Sequence, residues 1–277
     1  MSNAPQTHAL RDAAAVDPLG NGRYAVNLSE QYTVVGRPNG GYLQCVLANA
    51  ALAEAAAQGG PHVHATAVTT NFIGAPELGP AVVVATVRRI GRGASFVHVA
   101  LEQNGAITNE SLITLGTLSE RSAPRYHDAV PPTLPPLEDC PRSPANGVIN
   151  ILGAQDQRLD PACTTFARGE ISEKAEIRGW MRLDDGQSQW DAWSLLFASD
   201  ALPPATFPIG SSGWVPTLQL SSYVRSIPSS EWLKVRQWCV VIEDGLVDER
   251  CELFDDRDQL VASASQLAMV RFNNPVD

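Results

Sequence analysis

"PHVHATAVTTNFIGAP" (Pro61 to Pro76) and "WVPTLQLSSYVRSIP" (Trp214 to Pro228) are the two stretches on which the fold turns. Written one beneath the other at an offset near 151 residues, they put Thr66 on Thr217 and Phe72 on Tyr223. Further along, "GPAVVVATVRRIGRGASFVHVALEQNGAITNESLITL" (Gly79 to Leu115) runs beside "SEWLKVRQWCVVIEDGLVDERCELFDDRDQLVASASQL" (Ser230 to Leu267) with like strand breaks, allowing one or two residues of drift. A pattern repeated at a fixed offset means that one supersecondary unit occurs twice. Identity between the copies is low, so the pattern of apolar positions carries the argument.

Each copy reads as a leading strand, a helix and four strands. In the first, "RYAVNL" is the leading strand and "NGGYLQCVLANAALAEAAAQGG" a helix with glycines at both ends. Tyr42, Leu43, Val46, Leu47, Ala50 and Ala51 cover much more than one stripe of that helix, so it should be largely buried. Strands near residues 63 to 73, 81 to 90, 94 to 103 and 106 to 118, joined by short Gly or Pro turns, read as an antiparallel meander. In the second copy the leading strand falls within Phe166 to Leu183, and the helix spans roughly Gln189 to Leu202, stopped by Pro203 and Pro204. The fold class is therefore α+β, two repeats that each wrap an antiparallel sheet around a central helix. Residues 1–120 form the N-terminal unit, the proline-rich 121–160 a surface linker, and 161–277 the C-terminal unit.

At 277 residues with 44% apolar side chains the chain can bury a large core. It has no run of 18 apolar residues and no signal-type block at its start, so we expect a soluble, cytoplasmic protein without membrane insertion. A net charge of −10 argues against nucleic-acid binding. The five cysteines (45, 140, 163, 239 and 251) are widely spaced, form no CxxC pair and read as reduced thiols. No metal and no cofactor is expected.

The copies differ where polar groups stand on core faces. In "LVASASQLAMVR", Leu260, Ala262, Ala264, Ala268 and Val270 share a strand face with Gln266. An unpaired buried amide costs roughly 1–3 kcal/mol, so Gln266 should have a partner. Its counterpart in the first copy falls between Ile113 and Leu115. On the second helix, Asp200 follows the apolar face marked by Trp190, Trp193, Leu196 and Phe197. Asn49 is its counterpart, and both stand 17 residues before the repeat's threonine. One half thus has Asp, Thr and Gln where the other has Asn, Thr and an aliphatic residue, which points to one working site. Placed in the last turn of a helix among apolar residues, Asp200 should have a raised pKa, suited to general-base work. The plainer alternative is that Asp200 caps a helix end and Gln266 bonds a neighbouring carbonyl.

"LLFASDALPPA", "PTLQLSSYVRSIPSSEWL" and "LFDDRDQLVASASQLAMVR" resemble the C-terminal half of the type II acyl-CoA thioesterases, which have a double hotdog fold. "RPNGGYLQCVLANAA" is similar to that family's glycine pair at the start of the first helix. The resemblance implies hydrolysis of an acyl-CoA, with Asp200, Thr217 and Gln266 holding and activating the water. Two departures stand out: Leu267 follows Gln266 where the family often has glutamate, and "LQLSSYVR" lacks the histidine of the family's strand.

Around that core, Gly40 and Gly41 could present N–H groups to an oxyanion, or could simply allow a tight helix entry. Arg88, Arg89, Arg92 and Arg225 are candidates for the phosphates of coenzyme A, or ordinary exposed arginines. His62 and His64 alternate on a strand without acidic or cysteine partners and read as surface. "PIGSSGW" lacks the spacing of a nucleophile elbow, and "IGRGAS" lacks the third glycine of a dinucleotide fingerprint. Two alternatives stay open, a non-catalytic acyl-CoA-binding protein and a hydratase or dehydratase of the same fold. The latter pairs an aspartate with a histidine, and no histidine follows Asp200. The sheet surfaces of paired hotdogs lead us to expect a homo-oligomer.

Overall fold

In the computed structural model, which describes residues 10–119, 124–184 and 189–272, the chain opens with helix α1 (Leu10–Ala13) and strands β1 (Asp17–Gly20) and β2 (Arg23–Leu28). A small hairpin, β3 (Thr33–Val34) and β4 (Arg37–Pro38), leads into helix α2 (Gly40–Ala57). Strands β5 (His64–Phe72), β6 (Gly79–Ile90), β7 (Ser95–Gln103) and β8 (Ala106–Gly116) complete the first half. The second half holds β9 (Gln155–Leu159), β10 (Glu176–Leu183), helix α3 (Leu195–Ala198) and strands β11 (Thr217–Val224), β12 (Leu233–Glu243), β13 (Leu246–Phe254) and β14 (Leu260–Met269). Among the described residues no helix is long and apolar enough to cross a membrane.

Twelve strands form one antiparallel sheet in the order β1-β2-β6-β7-β8-β5-β11-β14-β13-β12-β10-β9. The halves meet at β5 and β11, where Thr69 faces Ser221 and their hydroxyls lie 3.1 Å apart. The expected four-strand meander is corrected here. Only the last three strands of each half follow one another by hairpins, aided by Asn104–Gly105 and Asp244–Gly245 turns with positive φ at both residues. The first strand crosses over to pair with the last, β5 with β8 and β11 with β14. Local turn chemistry cannot report such a pairing.

Helix α2 begins at Asn39, whose side chain accepts the Tyr42 N–H at 2.9 Å. From Gly41 to Ala51 it is buried nearly all round, as its composition predicts, and its last turns reach the surface. Its fully buried Gln44 ties the halves together, donating to the Leu220 carbonyl at 3.1 Å and accepting from the Ser222 hydroxyl at 2.7 Å. The second helix is far shorter than the expected 189–202. Asp191 captures the N–H groups of Trp193 and Ser194, and bonds between residues three apart, Phe197 to Asp200 and Ala198 to Ala201, replace helical ones. One α-helical turn remains, set against the start of α2. Strand β9 takes the outer edge of the sheet, within the proline-rich 121–160 stretch but in a segment that has no proline.

A bulge sets the correspondence between the halves. It falls at Thr66 in β5 and at Leu218 in β11, so the structural counterpart of Thr217 is Ala65 rather than Thr66. By the same registers, Gln266 corresponds to Ile113 and Glu249 to Val97. One apolar core runs through both halves, from Leu10 to Ala264.

Candidate active site

Asp200 lies two residues beyond α3, where the chain turns under the N-terminus of α2. Its Oδ2 accepts the Gly41 N–H at 2.9 Å and the Asn39 side-chain amide at 3.0 Å, and its backbone carbonyl accepts that same amide at 2.8 Å. The glycine pair is what allows this approach. A Cβ at Gly40 would stand 2.7 Å from Asp200 Oδ2, and one at Gly41 would stand 2.7 and 2.8 Å from the carbonyl oxygens of Leu196 and Phe197. The expected oxyanion donors are thus engaged, Gly41 by the carboxyl group itself.

Burial pushes the Asp200 pKa up from 3.8 to about 7, and the nearby Glu249 charge adds to the rise. The Gly41, Asn39 and Gly40 donors oppose it. The expected rise is present, and of its two expected causes the apolar surround holds while the helix dipole is corrected. Helix α3 is too short to carry much of a macrodipole, and the helix end that faces Asp200 is the positive N-terminus of α2, which lowers the value. Desolvation outweighs it.

The partner of Gln266 that its sequence position demands is Glu249, on the neighbouring strand β13. Gln266 Nε2 donates to Glu249 Oε2, while Gln266 Oε1 accepts from the Thr217 hydroxyl at 3.1 Å. Glu249 is 1% exposed. Its other bonds come from the Ala205 N–H at 2.7 Å, the Thr206 N–H and the Gln237 side-chain amide at 3.2 Å. Burial raises its pKa and these four donors hold it back.

Asp200, Thr217 and Gln266 all line one cavity of about 530 Å³, together with Asn39 and Gly40. Most of its wall is apolar, including Leu43, Phe72, Ile151, Leu152, Phe207 and Trp214. Arg37 is the one basic side chain in that wall among the described residues. Arg88, Arg89, Arg92 and Arg225 are not part of it. The first three sit where β6 turns into β7, at the His64 end of β5, whereas the cavity takes Phe72 from the other end. Arg225 follows β11 at the end away from Thr217, its guanidinium stacked 5.1 Å from the Tyr223 ring centre. His62 is not a surface residue: it is buried, with Nδ1 2.9 Å from the Ser95 hydroxyl.

Sequence reasoning missed Asn39, Gln237 and Glu249. For Glu249 a signal existed, because it alternates with Val247, Cys251 and Leu253 as the one charge on a core face. Asn39 shows only as a helix cap, and nothing local links it to residue 200.

Two family models match the chain. "Acyl-CoA thioesterase N-terminal domain" covers residues 28–119 and "Acyl-CoA thioesterase C-terminal domain" residues 131–270. An uncharacterized protein of Mycobacterium tuberculosis is 30% identical over 264 residues, covering 88% of this chain and 89% of its own. Among solved structures, a provisionally assigned thioesterase II from Thermobifida fusca YX is 33% identical with a TM-score of 0.87, covering 97% of this chain and 99% of that one. A conserved protein of unknown function with a hot dog fold, from Alicyclobacillus acidocaldarius, is 22% identical with a TM-score of 0.82, covering 98% and 100%; it shows the hot dog fold.

Proposed function

The chain belongs to the acyl-CoA thioesterase family, and on that premise we propose that it hydrolyses acyl-CoA thioesters to a free fatty acid and coenzyme A. We read it as a double hotdog, with units at residues 1–120 and 161–277 joined by 121–160, and one site between them. The observation that carries the reading is the Asp200 carboxyl group. It is pinned by a helix N-terminus from the other half, its pKa is pushed up to about 7, and it stands in the wall of a largely apolar cavity that Thr217 and Gln266 also line.

The Asn39 and Gly41 bonds to Asp200 fall on Oδ2, and we assign the proton to Oδ1. Water held by Asp200, Thr217 and Gln266 attacks the thioester carbonyl carbon as its proton passes to Oδ1 and the carbonyl electrons move onto oxygen. Once protonated, Asp200 is a weaker acceptor. The Gly40 and Gly41 N–H groups, with the positive end of α2 behind them, are then held less strongly by it and lend their positive field to the neighbouring oxyanion. Collapse of the tetrahedral intermediate breaks the C–S bond, and Asp200 returns its proton to the departing thiolate. The acyl chain lies against Leu43, Phe72, Ile151 and Leu152, and Arg37 is placed to meet a phosphate of coenzyme A. A hydratase mechanism finds less support, since among the described residues no histidine lines the cavity.

Thiol release from acyl-CoAs of graded chain length tests the reading. Asp200→Asn should lower kcat by roughly 10²- to 10⁴-fold, and the wild-type kcat/KM should rise with pH through about 7 as Asp200 ionises. Undiminished release by a folded Asp200→Asn protein would remove Asp200 from the reaction. Acyl-CoA binding without turnover by the wild type would favour a carrier.

A further inference from the structure

We propose that Glu249 is a positioning residue that sets the polarity of the Gln266 amide, so that a carbonyl oxygen rather than an NH2 group faces Thr217 and the attacking water. The inference rests on the water-activation reading above and adds to it a residue that does not touch substrate.

An amide can face its neighbours in either of two ways, and only its partners decide which. Three of the four groups around Glu249 are fixed as donors. The N–H groups of Ala205 and Thr206 belong to the backbone. Gln237 must turn Nε2 this way, because it also donates to the Pro203 carbonyl at 3.3 Å, which can only accept. A carboxylate surrounded in this manner is an acceptor, and the fourth group, Gln266, must therefore present Nε2 to it. Its Oε1 is left to receive the Thr217 hydroxyl at 3.1 Å.

The chemistry needs that orientation. A water attacks through a lone pair, so both of its hydrogens should go to acceptors, one to Asp200 and one to the Gln266–Thr217 pair. A reversed amide would donate to the water and occupy the lone pair required for attack. Depth in the protein makes the device rigid: Glu249 is 1% exposed, and its bonds to Ala205 and Thr206 hold it against the backbone just beyond Pro203 and Pro204.

Glu249→Gln tests this with almost no change in shape. The backbone donors will retain the new carbonyl oxygen, so the new NH2 faces Gln266 and turns its amide over. Expected is a loss in kcat of roughly tenfold or more with KM within about twofold. Acting through Gln266, Glu249→Gln should add nothing to Gln266→Ala, so that the double variant turns over like Gln266→Ala alone. The exchange Glu249→Gln with Gln266→Glu restores an acceptor toward the water, and should recover part of the lost kcat even if the single variant is weakened in folding. Wild-type kcat in Glu249→Gln, or losses that multiply with Gln266→Ala, would overturn the proposal. If Asp200→Asn is also silent, the failure lies in the water-activation reading; if Asp200→Asn is inactive, it lies with Glu249 alone.

Discussion

On β13, β14 and β11 the side chains Glu249, Gln266 and Thr217 form a polar chain; at the same places on β7, β8 and β5 stand Val97, Ile113 and Ala65. The apolar trio is fully or almost fully buried and needs no partner. The polar trio needs several, and finds them in backbone N–H groups, Gln237 and one another. The same sheet geometry thus serves two ends differently. One end is apolar and packed, and the other keeps a buried glutamate behind two half-buried polar groups that line a cavity. The segment after α1 is fastened along α2: Asn49 donates to the Ala14 carbonyl at 2.8 Å, and Tyr42 to that of Ala13 at 2.6 Å. Arg11 pairs with Asp191 and lies 5.0 Å from the Trp193 ring centre.

The most severe way to break this contrast is to make both ends alike. Replacing Glu249, Gln266 and Thr217 with Val, Ile and Ala should reduce thiol release by at least about 10²-fold. It should also leave stability to denaturant unchanged or raised by about 1–4 kcal/mol, as when other buried charged networks are replaced by packed apolar groups. A protein both inactive and much less stable would mean that the polar chain holds the fold together. The opposite exchange, Ile113→Gln, should cost roughly 2–4 kcal/mol, because Val97 and Ala65 offer the amide nothing to bond. Urea unfolding measures this, and a silent substitution would show that the first half tolerates polarity equally well.

A smaller, pH-dependent effect sharpens the comparison at Asp200 itself. Well below pH 3.8 its carboxyl is neutral in folded and unfolded chains alike. Between about 4 and 7 the unfolded chain loses this proton while the folded one keeps it, so stability falls across that window and levels off above it. Asp200→Asn cannot ionise. Its melting temperature should therefore gain on that of the wild type as pH rises from 4 to 7, and a constant difference would contradict the raised value.

The strands, the buried first helix and Gln266 were legible because each obeys a local period; Asp200 and Thr217 joined Gln266 through the repeat and the family resemblance, although Asp200 lies beyond the helix whose period placed it. Sheet order was not, since β5 meets β8 across two intervening strands, β6 and β7. The short second helix depends on Asp191 capturing N–H groups and on the close approach of α2, and neither enters a propensity. Thr217 was aligned one residue off because a bulge shifts the pairing without changing the alternation around it. Glu249 was readable and overlooked; Asn39 was not, because its partner is 161 residues away.

The seam between Thr69 and Ser221 has a consequence for how such a site can arise. Were the two units separate copies of one chain meeting at that seam, every substitution would strike both ends at once, and a helix start suited to hold a carboxylate would have to serve in both. Joined in one polypeptide, each end answers to its own codons. One can surrender its polar residues to valine, isoleucine and alanine while the other keeps a buried glutamate and a half-buried glutamine, and the apolar end offsets the demands of its twin.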